Sequence, residues 1–201
     1  MIEQTLLASG ITKIAGCDEA GRGPCAGPLV VASVILKFPL HNSLEGIADS
    51  KELTEKKRES LFEAIKREAV SYSIIEISPS EIDSKGLHKC NLEGMRRAVN
   101  ALDIAPDYVL TDGYEIEGLA APTLAVWKGD QVSITVGAAS ILAKVYRDRI
   151  MVELDRKYPG YGLAGHKGYI TAKHTAAIEE LGVTEIHRKS FANIAAIINK
   201  D

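Results

Sequence analysis

The stretch Gly16-Cys17-Asp18-Glu19-Ala20-Gly21-Arg22-Gly23-Pro24 decides how the rest of the chain is read. A largely apolar run, Ile11 to Ala15, leads into it, and a second, Leu29 to Leu36, follows it. Apolar runs bounded by glycine predict strands over Lys13–Cys17 and Leu29–Lys37, joined by the glycine-rich turn. Two adjacent carboxylates therefore stand where a buried strand is about to turn. Carboxylates at the edge of a core are costly unless something positive sits on them. A hard divalent cation takes oxygen ligands and is a partner of that kind. The Gly-Arg-Gly that follows adds bare backbone N–H groups and one guanidinium, which suit a phosphodiester. Neighbouring strand residues point to opposite faces. Asp18 and Glu19 are thus expected to share a site only if the strand ends between them and the chain bends at Ala20-Gly21.

Working outward, Thr54 begins a helix, with Leu61, Ile65 and Val70 at helical spacing. Ser71–Ile77 is expected as a strand, Ser78 as a helix start and Leu87–Leu102 as a second helix. Tyr108–Thr111 and Pro122–Trp127 read as short strands. A long helix is expected from about Val132 to Tyr158. A glycine- and tyrosine-rich loop, Pro159–Tyr169, then leads to helices near Thr171–Leu181 and Ser190–Ile198. A hairpin first and strand–helix alternation later predict an α/β fold, a mixed sheet with helices packed on it.

Four carboxylates share a topological property. Asp18 and Glu19 end the first strand, Asp112 ends the Tyr108–Thr111 strand, and Asp130 precedes the long helix. In open α/β sheets the ligand crevice lies outside the carboxyl ends of the strands, so these acids are expected to converge. Taken singly, Asp112 before Gly113 and Asp130 after Gly129 read as turn or cap residues; the Asp18-Glu19 pair embedded in apolar sequence gives them a functional reading. Phosphodiester hydrolysis by two metal ions about 4 Å apart uses such a cluster. On the long helix, Ser140, Lys144 and Arg147 fall on one face. Two readings stand there: a stripe following a phosphate backbone, or a solvated face in which Lys144 pairs with Asp148. Residues 156–178 contain no acid and carry Arg156, Lys157, His166, Lys167, Lys173 and His174 among three tyrosines. This local basic, aromatic segment suits phosphates and sugars, with His166 and His174 read as structural or phosphate-contacting.

Composition sets the frame. A chain of 201 residues with 46% hydrophobic content supports one domain with a sizeable core. Its net charge of −3 gives no global basic field, so a polyanion site must be local. Cys17, Cys25 and Cys90 show no metal-type pairing and read as reduced thiols. Neither a signal peptide nor a membrane span is evident; a cytoplasmic monomer is expected.

Taken in order, several blocks resemble ribonuclease HII: Asp18-Glu19-Ala20-Gly21-Arg22-Gly23-Pro24, Asp49-Ser50-Lys51-Glu52-Leu53, Thr111-Asp112-Gly113, Lys128-Gly129-Asp130, Ala138 to Val145, His166-Lys167-Gly168-Tyr169 and Ile186 to Phe191. The resemblance covers almost the whole chain. It implies a ribonuclease H-like core with a C-terminal helical, substrate-binding region from about residue 156 to 201. It implies cleavage of RNA in RNA–DNA hybrids and nicking on the 5′ side of a lone ribonucleotide in duplex DNA, leaving a 3′-hydroxyl and a 5′-phosphate. Asp18, Glu19, Asp112 and Asp130 would then be catalytic metal ligands for Mg²⁺ or Mn²⁺. Gly21, Arg22 and Gly23 would read the 2′-hydroxyl and adjoining phosphates. Tyr169 would stack on the deoxyribose 3′ of the ribonucleotide, and Lys51, Ser140 and Lys144 would contact phosphates. No clamp-binding peptide is evident near the C-terminus. Two other readings compete: a related nuclease acting on all-DNA junctions, and a non-enzymatic nucleotide-binding module. The second lacks both the terminal Lys-Ser/Thr of a P-loop and dinucleotide-fold glycine spacing.

Overall fold

The protein is represented by a computed structural model that describes residues 2–47 and 53–199. Strands β1 (Ile14–Ala20) and β2 (Leu29–Leu36) form the expected antiparallel hairpin, with Gly16 opposite Val34 and Glu19 opposite Val31. β3 (Ala69–Ile77) pairs antiparallel with β2. β4 (Tyr108–Asp112) pairs parallel with β1, and β5 (Thr123–Val126) parallel with β4. The order is β3-β2-β1-β4-β5, so β1 is central.

β2 is buried along its whole length because helices cover both faces of the sheet. Val30, Ala32, Val34 and Leu36 face a core shared with Leu61, Phe62 and Ile65 of α2 (Glu55–Glu68) and with Ile141, Leu142 and Val145 of α6 (Ile134–Lys157). Leu29, Val31 and Ile35 face the opposite core, with Ile82 of α3 (Pro79–Lys85) and Met95, Ala98 and Val99 of α4 (Leu87–Asn100). Side-chain caps set the helix starts. Thr54 accepts from the Lys57 N–H, Ser78 from Glu81 and Ser133 from Val136.

Three features depart from the sequence reading. β1 does not end between Asp18 and Glu19; it runs on to Ala20, because β2 keeps pairing opposite both acids. Its parallel pairing with β4 stops earlier, at Cys17 and Thr111. The long helix forms as expected, as α6, but a separate four-residue helix, α5 (Gly129–Val132), precedes it across extended Ser133, so Asp130 lies inside α5 rather than in a loop. An additional helix, α1 (Ile2–Ala8), precedes β1. Its buried Glu3 accepts hydrogen bonds from the Ser133 hydroxyl at 2.7 Å and the Thr135 N–H at 3.0 Å. A carboxylate there meets the positive end of the α6 dipole.

Beyond α6 the chain forms α7 (Leu163–His166), α8 (Ala172–Leu181) and α9 (Ala192–Ile198). These do not cover the sheet. Tyr161, Leu163, Ile178 and Ile194 pack instead on Cys25 and Ala26, in the loop between β1 and β2, and on Met151 of α6. Backbone bonds stitch this contact: the Cys25 N–H donates to Gly168 at 3.0 Å, Gly27 to Ile186 at 2.8 Å, and Arg188 to Cys25 at 2.8 Å. The loop that carries Gly21-Arg22-Gly23 is therefore walled in by the C-terminal segment.

Candidate active site

Asp18 and Glu19 obey strand alternation. Asp18 shares its face with Gly16, which packs so closely on α6 that a Cβ would stand 2.1 Å from the Thr135 carbonyl carbon. On that face Ser140 of α6 lies beside Asp18. Glu19 points to the other face, where Asn91 of α4 lies beside it. Both acids reach Asp112, the last residue of β4, because β1 overshoots β4 at this edge. Asp112 is fixed in turn by the Gly129 N–H, which donates to its Oδ1 at 2.8 Å. Buried Asp130 is the next residue along α5.

The cluster is short of positive charge. Burial first, then Glu19 and Asp112, push the Asp18 carboxyl well above the ordinary range, against the pull of the nearby Ser140 hydroxyl. Burial lifts Glu19 to about 7; the Arg22 guanidinium pulls it down and Asp112 pushes it up. Glu19 Oε2 is buried without a hydrogen-bond partner. Among the described residues no three His, Cys, Asp or Glu side chains close around a single point. The chemistry of the donors nonetheless fits a hard divalent cation: oxygen ligands, one orphaned carboxylate oxygen, and mutual repulsion that such a cation would relieve.

A cleft of about 420 Å³ opens beside the acids, lined by Glu19, Gly21, Arg22, Ser140, Lys144 and Tyr169, among others. Two buried arginines shape its wall. Arg188 donates to the carbonyls of Gly21 at 2.6 Å, Arg22 at 3.1 Å and Gly27 at 3.0 Å. Arg147 donates to those of Pro28 at 3.0 Å, Ala26 at 3.1 Å and Lys167 at 3.0 Å. Gly21 has φ +97°, and a Cβ there would meet Arg147 Nε at 2.1 Å, so the turn requires glycine. The clamp occupies the carbonyl side of the turn. The Arg22 side chain bends back, donating to the Tyr114 hydroxyl, lying 4.8 Å above its ring and sitting 3.5 Å from Glu19. At the other rim a Cβ on Gly23 would be 3.3 Å from the Tyr169 ring, which is half exposed.

The chain matches the ribonuclease HII family over residues 15–194. It belongs to that family. It is 52% identical to ribonuclease HII of Salinispora arenicola, over 98% of this chain and 73% of the relative. It is 51% identical to that of Rhodococcus opacus, over 99% and 88%. Its structure is similar to that of ribonuclease H2 from Pyrococcus horikoshii, with TM-score 0.84 and 31% identity over 94% of this chain and 98% of that one. The chain is thus an endoribonuclease of a divalent-metal-dependent family that cleaves RNA in RNA–DNA hybrids.

Against the ribonuclease HII pattern, Asp18, Glu19 and Asp112 are brought together, and Gly21, Arg22, Gly23, Ser140, Lys144 and Tyr169 line or border the cleft. Lys51 lies outside the described residues. Lys144 lines the cleft and also pairs with Asp148 at 2.7 Å, so both readings of that face hold for it. Arg147 is a correction. It is 1% exposed and engaged by three carbonyls, so its guanidinium is not part of a phosphate-following stripe. His174 is buried, and His166 bonds the Tyr161 carbonyl at 2.8 Å; both are structural. Sequence reasoning missed Asn91, Tyr114 and the role of Arg188. Asn91 had a signal: it is a polar residue on the buried stripe Asn91, Met95, Ala98 of α4. Its amide atoms are fully buried and outside hydrogen-bonding alignment, yet near enough to hold Glu19 down. Arg188 and Tyr114 gave no comparable signal, since their partners come from residues 166 and 92 positions away.

Proposed function

We propose that this ribonuclease HII nicks duplex DNA on the 5′ side of a single embedded ribonucleotide, as well as cutting longer RNA tracts in hybrids. The observation that carries this reading is the placement of the Asp18, Glu19 and Asp112 carboxylates beside a cleft bordered by the Gly21-Arg22-Gly23 turn and Tyr169. Asp18, Glu19, Asp112 and Asp130 would hold the divalent metal, Mg²⁺ or Mn²⁺, which would supply Lewis acidity at the phosphate oxygens and the leaving oxygen. The protein's own groups do the rest. With the Arg22 guanidinium tied to Glu19 and Tyr114, recognition of the 2′-hydroxyl falls to the backbone N–H groups of the turn. That hydroxyl is what separates RNA from DNA at one position. Tyr169 packs on the next sugar in the 3′ direction, where a deoxyribose lets the ring approach. Ser140, Lys144 and Lys51 hold flanking phosphates, so the scissile bond is aligned at the acids. The products are a 3′-hydroxyl and a 5′-phosphate. The segment from about residue 156 serves as the substrate-binding flank of a single domain acting as a monomer. Buried free thiols at Cys17, Cys25 and Cys90 accord with a reducing, cytoplasmic setting.

The test is a DNA duplex with one ribonucleotide, incubated with Mg²⁺, with Mn²⁺ and with EDTA. A metal-dependent nick 5′ of the ribonucleotide is expected. Cleavage confined to long hybrids would overturn the single-ribonucleotide reading, and no cleavage of either substrate would overturn the active-site assignment.

A further inference from the structure

Trp127 is 81% exposed, whereas the next most exposed large hydrophobic residues of the described chain, Tyr169 and Ile170, are at 49%. Leaving an indole in water forfeits the burial of a large apolar surface. A lone exposed aromatic needs no function, but three further observations set this one apart.

The first is position. Val126 pairs with Asp112 across β4 and β5, so Trp127 is the residue immediately beyond the register partner of an active-site acid. The second is rigidity. The turn that carries it is pinned by the Gly129 N–H on Asp112, by Gln131 N–H on Lys128 at 3.0 Å and by Gly113 N–H on Val126 at 3.0 Å. Lys128 holds a left-handed conformation, φ +53°, in this turn. The ring is therefore presented by a fixed scaffold rather than a floppy loop. The third is the surface it borders. A second depression of about 270 Å³ is lined by Glu19, Arg22, Asp112, Tyr114, Trp127 and Lys128, among others. It shares Glu19 and Arg22 with the cleft that holds Tyr169. The two depressions meet at Glu19 and Arg22, each bordered by an exposed aromatic, and Lys128 adds positive charge to the second.

We propose that Trp127 packs against the sugar of the nucleotide on the 5′ side of the scissile phosphate, forming an upstream substrate subsite opposite to that of Tyr169. The inference rests on the single-ribonucleotide reading above, which supplies the strand polarity. With Tyr169 on the 3′ neighbour, the ribose at the Gly-Arg-Gly turn and the scissile phosphate at the acids, the strand continues upstream past Asp112 to Trp127. Lys128 is placed to meet a phosphate of that same segment. Aromatic contact with a nucleotide is sequence-tolerant, so the subsite would add affinity without adding base specificity.

Trp127 is the single tryptophan of the chain, so its fluorescence reports directly on this contact. Asp18→Asn protein with Mg²⁺ is titrated with two end-labelled duplexes. One extends on both sides of the ribonucleotide; in the other the ribonucleotide strand begins at the ribonucleotide with a 5′-phosphate. Label anisotropy reports binding independently. Emission should change with the first duplex and stay nearly constant with the second, while anisotropy rises with both. Equal emission changes, or none with either bound duplex, would overturn the subsite. No anisotropy change with either would overturn the single-ribonucleotide reading and the subsite with it. In the otherwise unaltered enzyme, Trp127→Ala should raise KM for the extended duplex at least about 5-fold, the low end of aromatic–nucleotide contacts, with kcat within about twofold. Trp127→Phe should recover most of that loss. The exposure of the ring leaves folding intact, and an unchanged KM in Trp127→Ala would exclude the contact.

Discussion

Asp18 and Glu19 are separated by one position and by the thickness of the sheet. The pleat sends one toward α6 and the other toward α4, and they reach a common site only because β1 outruns its parallel neighbour. Each then has a different polar neighbour, Ser140 for Asp18 and Asn91 for Glu19. Asp18→Asn removes one ligand charge and leaves the turn and Tyr169 in place. Nicking should fall on the order of 100-fold or more, the scale of losing one charge-stabilising group, while hybrid binding is retained in a gel-shift titration. Asn91→Ala should act through Glu19. Removing a neighbour that holds its carboxyl down raises its pKa further above the ordinary range. The acid limb of the pH–rate profile should move to higher pH, with activity falling roughly 10- to 100-fold, as for other groups that orient metal ligands. An acid limb that stays in place would show that Asn91 only fills space.

At the scale of elements, the turn, α8 and the last loop act as one unit. Among the described residues Arg188 is buried with no carboxylate in ion-pair contact; burial and nearby Arg147 pull its pKa down to about 9, which leaves it cationic at neutral pH. It is held by the carbonyls of Gly21, Arg22 and Gly27 and by the face of the Phe191 ring, 5.2 Å away. Arg188→Met would strip the donor from three carbonyls, and at about 1–3 kcal/mol per buried group left unsatisfied the fold should lose roughly 3 kcal/mol or more. A shifted urea midpoint would register this. A chain of imidazoles braces the same unit. The Thr184 N–H donates to His187 Nδ1 at 3.0 Å, which makes His187 Nε2 the protonated nitrogen, donating to His174 Nε2 at 3.4 Å. His174 Nδ1 then donates to the Tyr169 carbonyl at 3.0 Å. Each ring must be neutral for this relay to stand. Burial, and then His174, lowers His187 from 6.5 to about 4. Between those values the unfolded chain takes up a proton that the folded chain refuses. Stability should therefore be full above about pH 6.5 and decline progressively toward pH 4, visible as a falling denaturation midpoint. The strands and the starts of α2 and α3 were legible because apolar runs and the Thr54 and Ser78 caps are local signals. α1 was not, since seven residues make a poor isolated helix and its stability comes from Glu3 reaching α6, 130 positions away. The place of Arg147 on α6 could be read, but the three carbonyls that absorb it could not.

For the whole molecule, the candidate site lies at a seam within one domain, between a sheet with helices on both faces and a C-terminal group of helices. The sheet places the acids, and the C-terminal group carries Tyr169 over Gly23. This division predicts selective damage. Tyr169→Ala should lower kcat/KM for a lone ribonucleotide about 5-fold or more, on the scale of aromatic–nucleotide contacts, and affect a long RNA tract less. Equal losses on the two substrates would argue against junction sensing. The site acids were readable because a sheet edge gathers strand ends from distant sequence, a general property of such folds. The seam itself was not, since it depends on packing among Cys25, Met151 and Ile186 that no local pattern announces. The clamp also has a consequence for synthesis. The turn at residues 21–23 emerges early, whereas the side chain that grips its carbonyls belongs to residue 188. A ribosome that has delivered the sheet and α6 has made a body with acids in place and a turn whose carbonyls are still ungripped. On this geometry the cleft is completed late in translation, and a nascent chain that stops before residue 188 should cut nucleic acid poorly.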